Sequence, residues 1–271
     1  MDSQISIRQA FSTKFPRHPE VLFQYQQSYR HIRSNVLSTI EAEVTRCFFE
    51  ESLQLYASIF SHHFPRIASA SALSALMPQS EGTHVLSNEA DVLRLSTLQL
   101  LHPVNVALRH ICPPGSRLIC QNEMQGSTNS RFDINWSLLT ANGQRDTIAI
   151  LEVKTTHVIH KGDFDAGKAT PENFHVQTAR AMQTNEETLL QGNAIWLSKQ
   201  AQKYAEHCPA VAIFDGKAMF LFDFHLYMRS TRRDEAVRGI YFDESRTNPQ
   251  QMNFRRLLFA FVARALSRYQ A

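Results

Sequence analysis

The chain has 271 residues, 43% of them hydrophobic, with a formal net charge of +3 and a sequence pI near 8.7. That much apolar sequence can bury a proper core, as one domain with an extension or as two small ones; the mild basicity does not by itself argue for nucleic acid, and no apolar run reaches the length of a membrane span. Cys47, Cys112, Cys120 and Cys208 lack metal or redox spacing and the N-terminus shows no secretory pattern, so the expected setting is reducing and intracellular, with nucleus and cytoplasm undistinguished.

Residues 1 to about 65 read as helical. Ile32, Val36, Ile40 and Val44, then Phe48, Leu53, Leu55, Tyr56, Ile59 and Phe60, give apolar spacings of three and four. Pro16, Pro19 and Pro65 punctuate the pattern, and no catalytic constellation stands out. The composition fits a helical cap or a dimerisation arm. Residues 66–86 are a connector rich in small residues. A helix is expected after Ser87, a suitable N-cap, with Leu93, Thr97, Leu100, Leu101, Val104 and Leu108 as its buried stripe. Pro103 must kink it or start a second helix. Glu89 lies one turn before Leu93, where an acid also favours the helix dipole.

Residues 116–121 are expected to form a first strand. From Phe132 to Leu139 the sequence alternates: Phe132, Ile134, Trp136 and Leu138 point one way, Asp133, Asn135 and Ser137 the other. Ala141-Asn142-Gly143 signals a turn. Thr147 to Thr155 is nearly continuous apolar sequence, as expected of a central strand buried on both faces. Two charges enter its end, Glu152 and Lys154, and two-residue spacing puts them on one face. A carboxylate and an ammonium there are costly unless they have partners or a job.

Residues 157–175 read as a polar, mobile loop. Gly162, Gly167 and Lys168 approach a P-loop, but Ala169 stands where a hydroxyl must reach magnesium. Asp163 and Asp165 hint at a calcium loop whose remaining positions are missing. Leu197, Ala201, Tyr204, Ala205 and Cys208 then mark an amphipathic helix, with Lys199, Gln202, Lys203 and Glu206 on the opposite, solvated face. Gln200 is a polar residue on the packing side, four before Tyr204. Two apolar strands follow, 210–214 and 218–224, joined at Asp215-Gly216. Arg229, Arg232 and Arg233 lie in a loop, and RSTRR is too short to count as a localisation signal. Residues 239–242 suit a last edge strand, and 252–269 a helix with Arg255, Arg256, Arg264 and Arg268 largely outward.

Asp133, then Glu152-Val153-Lys154 on the partner strand, then Gln200-x-x-x-Tyr204 on the following helix resembles the PD-(D/E)XK, or restriction-endonuclease-like, nuclease superfamily. The proline of that name is absent, with Phe132 in its place. More narrowly, the chain looks like nuclease-like domains of fungal proteins of unassigned role. The resemblance implies an α/β fold: a mixed central sheet flanked by helices, with an N-terminal helical extension and a C-terminal helix. Residues 1–86 would be the extension and connector. Residues 87–271 would be the nuclease-like domain, with its core at 87–225 and a further strand and helix at 226–271.

The implied activity is hydrolysis of phosphodiester bonds, in DNA ahead of RNA, with Mg2+ as cofactor and Mn2+ able to substitute. The implied catalytic set is Asp133, Glu152, Lys154, Gln200 and Tyr204. Asp133, Glu152, the Val153 backbone carbonyl and Glu89 would hold the metal. Lys199, Lys203, Arg229, Arg232 and Arg233 are candidate nucleic-acid contacts. A homodimer through the N-terminal helices is compatible with the pattern. The alternative is a catalytically weak or inactive nucleic-acid-binding or assembly module on the same fold.

Overall fold

The computed structural model describes residues 4–19, 28–80, 85–125, 131–230 and 236–269, with backbone alone for 123–125, 131 and 132. In chain order the elements are β1 (Gln4–Ser6), α1 (Ile7–Ala10), α2 (Leu37–Ile40), β2 (Phe48–Glu50), α3 (Leu53–Ile67), β3 (Leu76–Pro78), α4 (Glu89–Ser96), α5 (His102–Arg109), β4 (Arg117–Gln125) and β5 (Arg131–Leu139). Then come β6 (Arg145–Val153), α6 (Lys161–Asp165), β7 (Lys168–Ala169), α7 (Phe174–Ala181), α8 (Gly192–Ala205), β8 (Ala210–Phe214), β9 (Met219–Asp223), α9 (His225–Arg229), β10 (Val237–Phe242) and α10 (Phe254–Ser267).

Among the described residues, one mixed sheet runs in the order β4-β5-β6-β8-β9-β10-β2-β7. The β5–β6 hairpin is antiparallel, whereas β6 lies parallel to β8. Parallel neighbours need a crossover, and α6, α7 and α8 lie within it. Ile148 to Val153 of β6 are all buried, as are all of β8 and β9. This explains their unbroken apolar sequences: helices cover both faces. Alternation sends Trp136 of β5 towards α5, where its Nε1 donates to Asn105 Oδ1 at 2.7 Å, and sends Glu152 to the opposite face, against α8. No described helix is long and apolar enough to cross a membrane.

Several sequence expectations need correction. Residues 32–48 are not one helix: α2 has four residues, and Phe48–Glu50 forms β2, which pairs parallel with both β10 and β7. A three-residue strand is too short to show a period of two. Because β2 joins the sheet there, β10 is interior and not an edge strand. The first 86 residues are thus only partly helical. They share a continuous core with the rest, where Phe60 of α3 meets Phe259 of α10 edge-on at 5.7 Å. The expected loop at 157–175 contains α6 and β7. Its aspartates have internal partners: Asp163 accepts from Tyr29 Oη at 2.6 Å, and Asp165 pairs with Lys168 at 3.0 Å.

The buried stripe of α4 is Val92, Leu95 and Ser96, not Leu93 and Thr97. Thr97–Leu101 forms a π-helical turn between α4 and α5, and its extra residue rotates everything before it by one position. Pro103 sits in the first turn of α5 and has no N–H to offer the carbonyl of Gln99. Arg255 Nε donates to that carbonyl at 2.6 Å. Arg255 is 1% exposed, and its Nη1 also donates to Ala10 O at 2.9 Å. The arginines of α10 are therefore largely internal: Arg264 pairs with Glu51 at 2.8 Å, and Arg268 with Asp223.

Candidate active site

The site forms where β5 and β6 end together. The register pairs Ile134 with Leu151, so Asp133 and Glu152 fall on one face at adjoining positions. Past that register the Asp133 side chain replaces a ladder acceptor: Val153 N–H donates to Asp133 Oδ2 at 2.8 Å. Val153 therefore meets Asp133 through its amide. Asp133 Oδ1 accepts no hydrogen bond from the described residues.

Glu152 is 4% exposed, and both its oxygens are engaged. Lys154 Nζ lies 2.6 Å from Oε1. Gln200 Nε2 donates to the same oxygen at 2.5 Å, and Tyr204 Oη donates to Oε2 at 2.9 Å. Gln200 Nε2 is also 2.8 Å from Tyr204 Oη, across one turn of α8. This is why a glutamine occupies the packing face of that helix: its amide lies against a buried carboxylate that needs donors. Glu89, first residue of α4, brings Oε2 to 3.7 Å from Lys154 Nζ. The N-cap is Asn88, not Ser87, in a capping box with Asp91.

The charges act on one another. Burial pushes the Asp133 carboxyl up to about 7, the Glu152 carboxylate adds to the rise, and the Val153 amide and Lys154 oppose it. Burial pulls the Lys154 ammonium down, but Glu152, Glu89 and Asp133 outweigh it and hold the group above the ordinary lysine range. Tyr204 is raised by burial and then by Glu152, so its phenol stays protonated and donates.

Asp133, Glu152, Lys154, Gln200, Tyr204 and Glu89 thus come together. Among the described residues, no three His, Cys, Asp or Glu side chains are grouped to hold a metal ion. The proposed nucleic-acid contacts are dispersed. Lys199 Nζ donates to Ile40 O at 2.8 Å, Lys203 is half-buried on α8, and Arg229 is exposed at the end of α9. Arg232 and Arg233 lie outside the described residues. Gln202, expected in solvent, is buried with Nε2 3.5 Å from Thr45 Oγ1, because the segment before β2 covers that face of α8.

One neighbour of the site had no sequence signal. Arg30 Nη1 donates to Thr155 Oγ1 at 2.7 Å, one residue beyond Lys154, and reaches Ser87 O at 3.4 Å. It lies in a stretch without periodicity, and only the tertiary fold brings it here.

No family model, curated protein or solved structure matches the chain.

Proposed function

We propose that the chain is a metal-dependent nuclease of the restriction-endonuclease-like type, hydrolysing phosphodiester bonds, in DNA ahead of RNA. The observation that carries this is the convergence of Asp133, Glu152 and Lys154 at one hairpin end, with Gln200 and Tyr204 closing on Glu152. Two carboxylates are a sufficient protein donor set for a small hard cation such as Mg2+, which keeps several waters and takes substrate phosphate oxygens as further ligands. Asp133, with one oxygen open among the described residues, and Glu152 would hold it, with the Val153 carbonyl as an additional donor; Glu89, whose Oε2 lies 3.7 Å from Lys154 Nζ, is grouped with the lysine and not with the two carboxylates as a third ligand. When bound, Mg2+ offsets charge on the phosphate and makes a coordinated water more acidic.

The protein's own groups have separable tasks. Lys154 stays protonated among three carboxylates, so it acts as a cation: it holds a phosphate oxygen or favours hydroxide beside it, and it does not abstract a proton. Gln200 and Tyr204 fix the rotamer of Glu152. Asp133 fixes the strand end through Val153.

A second possibility is a nucleic-acid-binding or assembly module with little turnover, and one observation favours it: both Glu152 oxygens already accept hydrogen bonds. Purified protein incubated with Mg2+ or Mn2+ on plasmid, linear duplex, single strand and RNA separates the two. Cleavage by wild type and none by Glu152→Ala supports the nuclease. Binding without cleavage at any metal concentration supports the module. Absence of both cleavage and metal binding overturns the nuclease proposal.

A further inference from the structure

Arg30 is a guanidinium without a carboxylate partner among the described residues, set at the end of the strand that carries Glu152 and Lys154. Its Nη1 is anchored to Thr155 Oγ1 at 2.7 Å and to Ser87 O at 3.4 Å. Nε and Nη2 make no hydrogen bond to the described residues. The side chain is half-buried, with donors to spare among the described residues.

The backbone around it is built to hold it. Arg30 N–H donates to His157 O at 2.7 Å, and Asn193 Nδ2 donates to Arg30 O at 2.7 Å. Ile32 N–H donates to Asn193 Oδ1 at 3.0 Å. Tyr29 stacks on His160 with ring centroids 4.3 Å apart. His157 takes a φ of +65°, a conformation that costs a non-glycine residue on the order of 1–3 kcal/mol and persists only where its surroundings enforce it. In that conformation its carbonyl accepts from both Arg30 N–H and His160 Nε2.

Next to this anchor opens a cleft of about 640 Å³, lined by Ser28, Arg17, His157, His160 and Lys217 together with Asp215, Asp243 and Glu244. Ser28 and His157 each lie two residues from a partner in the Arg30–Thr155 contact. Arg30 is thus two residues along the chain from one wall of a cleft of mixed charge, and one hydrogen bond from the residue that follows Lys154.

We infer that Arg30 binds a phosphate group of the nucleic acid strand, next to the one held at Lys154. A planar guanidinium fork with two nitrogens unengaged and no competing carboxylate among the described residues suits a phosphate's oxygens better than a lysine would. The identity of the ligand rests on the proposed nuclease function, whereas the anion site rests on the geometry.

The test is binding of a fluorescent oligonucleotide in EDTA, by anisotropy across a salt series, for wild type, Arg30→Gln and Arg30→Lys, with melting temperature as the fold control and cleavage in Mg2+ measured separately. Arg30→Gln is expected to weaken binding about 10- to 100-fold, the range for a hydrogen bond to a charged group. It should also flatten the dependence of log K on log salt by about one phosphate's worth. Arg30→Lys should restore the salt slope but only part of the affinity. Wild-type affinity and slope in a folded Arg30→Gln protein overturn the inference, and leave the nuclease standing if wild type cuts. A lowered slope in Arg30→Gln when wild type does not cut keeps the phosphate contact and removes the nuclease. Absence of oligonucleotide binding by wild type overturns the inference outright. If Arg30→Gln does not fold, Thr155→Val frees the guanidinium from its anchor, and unchanged binding by that variant counts against the inference.

Discussion

Val153 donates its amide proton to the Asp133 carboxylate at 2.8 Å, so a side chain ties the two strands of the site together just past their paired residues. Asparagine at 133 can still accept that bond through its carbonyl oxygen. Charge and hydrogen bond at this position are therefore separable by mutation.

Asp133→Asn is expected to stabilise the protein in the absence of added metal. The unfolded carboxyl titrates near 3.8 and the folded one near 7, so the folded state holds the proton more tightly between those values. The stability this group contributes is greatest below about pH 4 and declines as pH rises to about 7. In EDTA the variant should melt above wild type at pH 8, with the gap closing towards pH 4, by about 2–4 °C per kcal/mol relieved. With Mg2+ the order should reverse, because the variant has lost a negative ligand. Melting curves over this pH range that run parallel for the two proteins would count against a buried, proton-sharing Asp133.

Lys154→Met keeps most of the apolar stem and removes the ammonium. Metal binding should persist or tighten, since a cation no longer faces the incoming one. Cleavage should fall by about 10²–10³, the usual cost of removing one fixed charge or donor aimed at the developing charge. Isothermal titration with Mg2+ alongside cleavage rates reads both. Loss of metal binding as severe as in Asp133→Asn would make the lysine a structural counter-ion; an unaltered cleavage rate would remove it from the chemistry.

Gln200→Ala and Tyr204→Phe each remove a donor from Glu152 while Lys154 remains. The rate should drop by more than folding stability does, because Glu152 keeps a partner but loses its fixed rotamer. Urea unfolding and specific activity of the folded fraction provide the comparison. The reverse pattern, a stability loss of about 1–3 kcal/mol with activity intact, would mark both residues as core groups only.

Arg255→Met should cost stability without touching the chemistry. It orphans the Gln99 carbonyl, which Pro103 cannot satisfy, and removes the donor to Ala10 O. A loss of about 1–3 kcal/mol per orphaned group is expected in urea melts. Proportional loss of activity in the folded fraction would show coupling between this arginine and the site.

The parts legible in the sequence are those governed by short periods. Alternation gave the faces of β5 and β6, the two-residue spacing put Glu152 with Lys154, and the four-residue spacing put Gln200 with Tyr204. The meeting of these pairs is a tertiary fact that the sequence supplied only through resemblance. Long-range features were hidden. Phe48–Glu50 is too short for a pattern, Arg30 has no periodic neighbours, and the π turn shifted the stripe of α4 by one residue with no compositional mark except Pro103. The arginines of α10 misled because polar residues at helical spacing look solvated until their partners Glu51, Asp223 and Gln99 are placed beside them.

The position of β2 in the sheet constrains how a nascent chain acquires this fold. Phe48–Glu50 is made early, yet its two ladder partners are residues 168–169 and 237–239. Until residues 168–169 are made its backbone donors and acceptors have no strand to pair with, and the edge that meets β10 stays unpaired until residues 237–239 follow. The sheet can close only after β10 has left the ribosome, so a stalled chain truncated before that point presents an open, apolar strand edge, the kind of surface that chaperones capture and aggregation exploits.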